Sequence, residues 1–101
     1  MPNGDREVCS QSWQGAHDTT ITLKNENIGA VTVSKSSDSN ILWPFSNPSS
    51  PFTVPAKSGN NPGTVSATLV NTPGTSYGYA TSGCHGDGHK SLTNPKTVII
   101  T

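Results

Sequence analysis

The sequence predicts an all-β domain of the Greek-key sandwich type, on three observations. Ser, Thr, Asn and Gly fill 46 of the 101 positions, whereas Ala, Leu, Met, Glu, Gln, Lys and Arg fill only 20. The first group favours turns and strands, and the second holds the strong helix formers. Eight prolines, all but Pro2 lying from Pro44 to Pro95, add helix breakers along the chain. Short polar–apolar runs separated by turn signals recur about every eight to twelve residues, the rhythm of a sandwich.

Each element follows from its own pattern. Residues 1–12 are polar and are expected to be loosely ordered, apart from a tether at Val8-Cys9. Thr19-Thr20-Ile21-Thr22-Leu23 alternates as a half-buried strand should. Asn25-Glu26-Asn27-Ile28-Gly29 reads as a turn and Ala30-Val31-Thr32-Val33 as the returning strand, so a hairpin is expected over Thr19–Val33. A polar loop from Ser34 to Asn40 leads to Ile41-Leu42-Trp43-Pro44-Phe45. Pro51 and Pro55 bracket Phe52-Thr53-Val54, which makes that segment an edge strand. Thr64–Val70 alternates with Val65, Ala67 and Leu69 on one face. Asn71-Thr72-Pro73-Gly74 is a turn signal before a strand from Thr75 to Ala80. The loop around Cys84–His89 follows, and Lys96–Thr101 closes the chain as a strand through Val98-Ile99-Ile100.

At 101 residues there is room for one domain over 1–101 and no second core. Six basic and six acidic residues cancel, and the basic ones are scattered singly. Nucleic acid is therefore not an expected partner, because its binding needs a cationic surface that releases counterions. No apolar run approaches the ~20 residues that span a bilayer. Met1-Pro2-Asn3-Gly4-Asp5 lacks the basic start and apolar stretch of a signal peptide. Sparse charge and abundant Ser, Thr and Asn instead suggest the mature part of a secreted or periplasmic protein. In an oxidising compartment the two cysteines, Cys9 and Cys84, would form one disulfide.

Pro73-Gly74-Thr75-Ser76-Tyr77-Gly78-Tyr79, followed by a loop bearing Cys and His and a final strand, resembles the cupredoxins. That resemblance covers about 30 residues and implies a β-sandwich that binds one copper, with Cys84 and His89 from the loop and His17 as the earlier histidine. The pattern departs from the family's. The family's cysteine position, two residues after the last aromatic, is held here by Thr81; Cys84 comes three residues later, and no Met follows His89. The expected topology is accordingly cupredoxin-like or immunoglobulin-like.

Cys84-His85-Gly86-Asp87-Gly88-His89 is where donor atoms crowd together. A thiolate and two imidazoles suit copper. If Cys84 is instead bonded to Cys9, the metal option becomes His85, Asp87 and His89, with His17 or Asp18, for copper or zinc. The plainer alternative is a glycine-rich surface loop with solvated histidines. Trp43, near Phe45 and Phe52, is a candidate for stacking on a polysaccharide, set against the reading that these rings fill the core. His-Glu-x-x-His does not occur, and Glu7 and Glu26 are the only glutamates, so no catalytic role is expected. The reading is a non-catalytic extracytoplasmic binding or accessory domain. Its unknown ligand would be recognised by loops, mainly Ser34–Ser39 and Gly83–Lys90, and a host protein or polysaccharide is the expected partner class. The alternatives are a copper- or zinc-binding cupredoxin relative and a carbohydrate-binding module.

Overall fold

The computed structural model describes residues 4–85 and 91–101. Among these, every regular element is a strand: β1 (Asp5–Glu7), β2 (Ser12–Gly15), β3 (Thr20–Asn25), β4 (Val31–Ser34), β5 (Phe45–Asn47), β6 (Phe52–Val54), β7 (Gly63–Leu69), β8 (Gly74–Ser82) and β9 (Lys96–Ile100). They form two sheets, one ordered β1-β3-β7-β5 and the other β2-β9-β8-β4-β6. The order β3-β7-β5 against β9-β8-β4 is that of the central strands in immunoglobulin-type sandwiches. Tyr77 near the start of β8 donates its hydroxyl to the Thr72 carbonyl at 2.8 Å, five residues upstream. This bond pins the β7–β8 turn in the manner of the tyrosine corner of that topology.

Alternation decides which side chains enter the space between the sheets. Ile21, Leu23, Val31, Val33, Ala67, Leu69, Val98 and Ile100 point inward with Phe45, Val54, Tyr77 and Tyr79. Trp13, Trp43 and Phe52 close the core from its margin. The rings stack on one another: Trp43 meets Phe45 edge-on at 5.3 Å and Phe52 at 6.0 Å, and Trp13 lies 6.3 Å from Phe45. With so few leucines, aromatic bulk fills the interior.

Two expectations are corrected. Thr19–Val33 is not a hairpin: β3 pairs with β1 and β7, while β4 pairs with β6 and β8 in the opposite sheet. The 26–30 segment thus arches between the sheets. The N-terminal stretch is not loose over its described part: β1 runs parallel to β3, β2 runs parallel to β9, and Val8 and Cys9 are fully buried. Arg6 crosses between the two sheets, its Nε donating to the Gln14 carbonyl at 2.9 Å and its guanidinium lying 5.7 Å from the Trp13 ring centroid. The loop from Ser34 and the Gly83 loop lie at opposite ends of the sandwich, because β4 and β8 run antiparallel. The edge position of Phe52–Val54 and the strands over Thr64–Val70, Thr75–Ala80 and Val98–Ile100 are as expected.

Candidate functional site at the disulfide end

Strand direction gathers four connections at one end: 8–11, 26–30, 55–62 and 83–95. The Cys9–Cys84 disulfide joins the first to the last, across a sequence separation of 75. Cys9 is buried and Cys84 is half-buried. Neither residue belongs to a strand ladder.

Two buried asparagines hold the connections together. Asn25 Nδ2 donates to the carbonyls of Gly29 (2.9 Å), Val54 (3.2 Å) and Pro55 (3.0 Å). Its Oδ1 accepts from the backbone N–H and the side-chain Nδ2 of Asn27, at 2.8 and 2.7 Å. Asn27 Nδ2 also faces Cys9 Sγ at 3.4 Å, and Asn27 Oδ1 accepts from the His85 amide at 3.1 Å. The Lys57 amide reaches the Asn27 carbonyl at 3.0 Å, and the Ser91 amide reaches the Cys9 carbonyl at 2.8 Å. Backbone groups that sheets would otherwise satisfy are thus paired by side chains.

Lys96 is the buried cation beneath this end, sharing its inward parity with Val98 and Ile100. Its Nζ donates to the Thr93 carbonyl (2.6 Å), Thr81 Oγ1 (3.2 Å) and Asn94 Oδ1 (3.3 Å). Burial among neutral acceptors lowers its pKa from the ordinary 10.5. Asn94 in turn pairs with both backbone groups of Thr81, at 3.0 and 2.9 Å, and extends β8 by one side-chain partner. Tyr79 donates to the Val8 carbonyl at 2.8 Å and accepts from Trp13 Nε1 at 2.9 Å. Burial pushes its phenol well above the ordinary 10.0; the Trp13 hydrogen bond opposes the shift and the Glu7 charge adds to it.

The candidate residues are distributed as follows. Cys84 is bonded to Cys9 and is therefore no thiolate ligand, which removes the trigonal Cys–His–His arrangement for copper. His85 is exposed at the disulfide end. Asp87 and His89, the other loop donors, lie outside the described residues. His17 sits at the opposite end, its Nδ1 2.8 Å from the Thr101 carbonyl beyond the end of β9. A strand of that length separates it from Cys84 by roughly 15–20 Å at ~3.3 Å per residue, so His17 and His85 cannot share one ion. Among the described residues no three His, Cys, Asp or Glu side chains converge on a metal position. Trp43 is half-buried and donates its indole N–H to the Pro48 carbonyl at 3.2 Å.

Asn25, Asn27 and Lys96 were not singled out by sequence reasoning. Lys96 was within reach, since a lysine in phase with Val98 and Ile100 must point inward. Nothing in the sequence separates Asn25 and Asn27 from the many other asparagines. No family model, curated protein or solved structure matches the chain, and among the described residues no helix is long and apolar enough to cross a membrane.

Proposed function

We propose that this chain is a non-catalytic extracytoplasmic binding or accessory domain whose ligand-reading surface is the disulfide end. One observation carries the reading. Four connections converge there on a buried frame of Asn25, Asn27 and Cys9–Cys84, and that frame supports exposed side chains on a rigid base. Of the three exposed large aliphatics among the described residues, Ile28, Leu42 and Leu92, two project from this end. Loops held by a sandwich are a common place for recognition. The disulfide fits an oxidising, extracytoplasmic compartment. The sandwich also fits the cupredoxin resemblance, without the thiolate that electron transfer through copper requires.

A peptide library selected against the folded chain tests the proposal, with the bound site mapped by amide chemical shifts. Shifts are expected at 27–30, 57–61, 84–85 and 91–94. The double variant Ile28→Ser, Leu92→Ser should weaken binding at least tenfold with little change in melting temperature. Shifts confined to a sheet face, or hydrolytic or redox turnover by the purified protein, would overturn it. A glycan panel that changes the fluorescence of Trp43 would favour the carbohydrate reading. Stoichiometric retention of copper or zinc lost in His85→Ala would favour the metal reading.

A further inference from the structure

We propose that Cys9–Cys84 is a reducible latch, opened by an external dithiol that attacks Cys84 Sγ and expels Cys9 as a thiolate. The binding reading enters only in what the latch would control; its chemistry rests on the sulfurs and their neighbours.

Access fixes which sulfur is attacked. Cys9 is fully buried and Cys84 is partly open to solvent, so an incoming thiolate reaches Cys84. Hydrogen-bond donors then decide how well each sulfur leaves. Asn27 Nδ2 lies 3.4 Å from Cys9 Sγ, and Thr81 Oγ1 lies 3.3 Å from Cys84 Sγ. The Thr81 hydroxyl donates to Asn94 Oδ1 at 3.1 Å, an acceptor shared with the Thr81 amide and Lys96 Nζ, and it would turn from that crowded oxygen to sulfur as a thiolate forms. Lys96 Nζ donates to that same hydroxyl oxygen at 3.2 Å, which polarises the O–H toward a developing thiolate. Donors and a nearby cation stabilise a thiolate and speed its departure.

The step balances. The dithiol's first thiolate forms a bond to Cys84 Sγ as the Cys9–Cys84 bond breaks, its electron pair passing to Cys9. The second thiolate of the reagent attacks its own sulfur in the mixed disulfide and expels Cys84. The reagent leaves as a cyclic disulfide, oxidised by two electrons, and the two protein thiolates take up from water the two protons it released.

Opening frees the end rather than the core. The ladders of both sheets exclude the cysteines. Cys84 and His85 are tied to this end by the bond itself and by the His85 amide on Asn27 Oδ1, and Ser91 by its amide on the Cys9 carbonyl.

The full chain at 15 °C provides the test. Brief exposure to glutathione, acid quench and peptide mapping should place the mixed disulfide on Cys84 and leave Cys9 as the free thiol. After reduction with dithiothreitol, amide exchange at 27–30, 84–85 and 91–94 should accelerate at least tenfold while β3, β7, β8 and β9 stay protected. Asn27→Ala should slow reduction about tenfold, and Asn27→Asp more, since a carboxylate would face the departing thiolate. Thr81→Val should slow the second step and is read separately should the Asn27 variants fold poorly. Adducts on Cys9, exchange of all strands together on reduction, or unchanged or faster reduction in these variants would overturn the latch. No binding partner enters this assay, so its failure leaves the loop-end reading standing, and failure of the peptide mapping leaves the latch standing.

Discussion

Asn25 holds more of the loop end than any charged side chain near it. Its amide serves three carbonyls and two donors, all inside the protein, so Asn25→Ala leaves several buried groups without partners at about 1–3 kcal/mol each. With partial relaxation we expect a loss of about 3 kcal/mol, read from the urea midpoint. The half-exposed Asp5–Lys24 pair at 3.9 Å should contribute less than ~1 kcal/mol by the same measure. Lys96 and Tyr79 give opposite signatures in alkali. The folded Lys96 pKa lies below the unfolded 10.5, so between the two the unfolded chain binds more protons and stability rises with pH. The folded Tyr79 pKa lies above the unfolded 10.0, so beyond that value the folded chain keeps a proton the unfolded chain has lost, and stability falls. Thermal melts across the alkaline range should lose the rise in Lys96→Met and the fall in Tyr79→Phe. The pairing of Cys9 with Cys84 was legible from the sequence because only two cysteines exist. The asparagine frame was not, because its partners are carbonyls from three separate connections that only the fold brings together.

At the scale of elements, alternation revealed the strands that bury one face, and missed those defined by their partners. Thr64–Val70 carries an apolar residue at every second position and Lys96–Thr101 carries the β-branched run Val98-Ile99-Ile100, signals independent of the partner strand. Asp5–Glu7 and Ser12–Gly15 are three and four residues long. They join the sheets through parallel partners distant in sequence, so local pattern says nothing of them. The Asn25–Gly29 stretch carries turn signals, but turn residues serve an arch between sheets ~10 Å apart as well as a hairpin. Inward-facing residues on both flanking strands suit either connection. Close approach gives a sharper test of this arrangement. A Cβ on Gly63 would overlap the Pro55 carbonyl, where β7 begins beneath the 55–62 connection. Gly63→Ala should therefore cost about 2–3 kcal/mol through overpacking, whereas Gly29→Ala, with open space around it, should change the urea midpoint little.

For the whole molecule, the disulfide closes most of the chain into one covalent ring. Cys9→Ala with Cys84→Ala should remove up to about 4 kcal/mol in the chain-entropy account, a large share of the stability a small domain has. Far-UV circular dichroism at 15 °C should nevertheless keep its β-sheet form. The ring also sets how the domain would carry a mechanical load. Tension applied to the segments flanking the cysteines runs along the covalent chain from residue 9 directly to residue 84 through sulfur, so the backbone between them cannot lengthen while the bond is intact. Single-molecule stretching of the oxidised protein should release only the flanking segments. Adding a dithiol should then give one further extension of roughly 260 Å, the reach of the 75-residue separation at ~3.5 Å per residue. A chemical signal would thus decide whether this sandwich behaves under force as a short inextensible link or as a long reserve of slack.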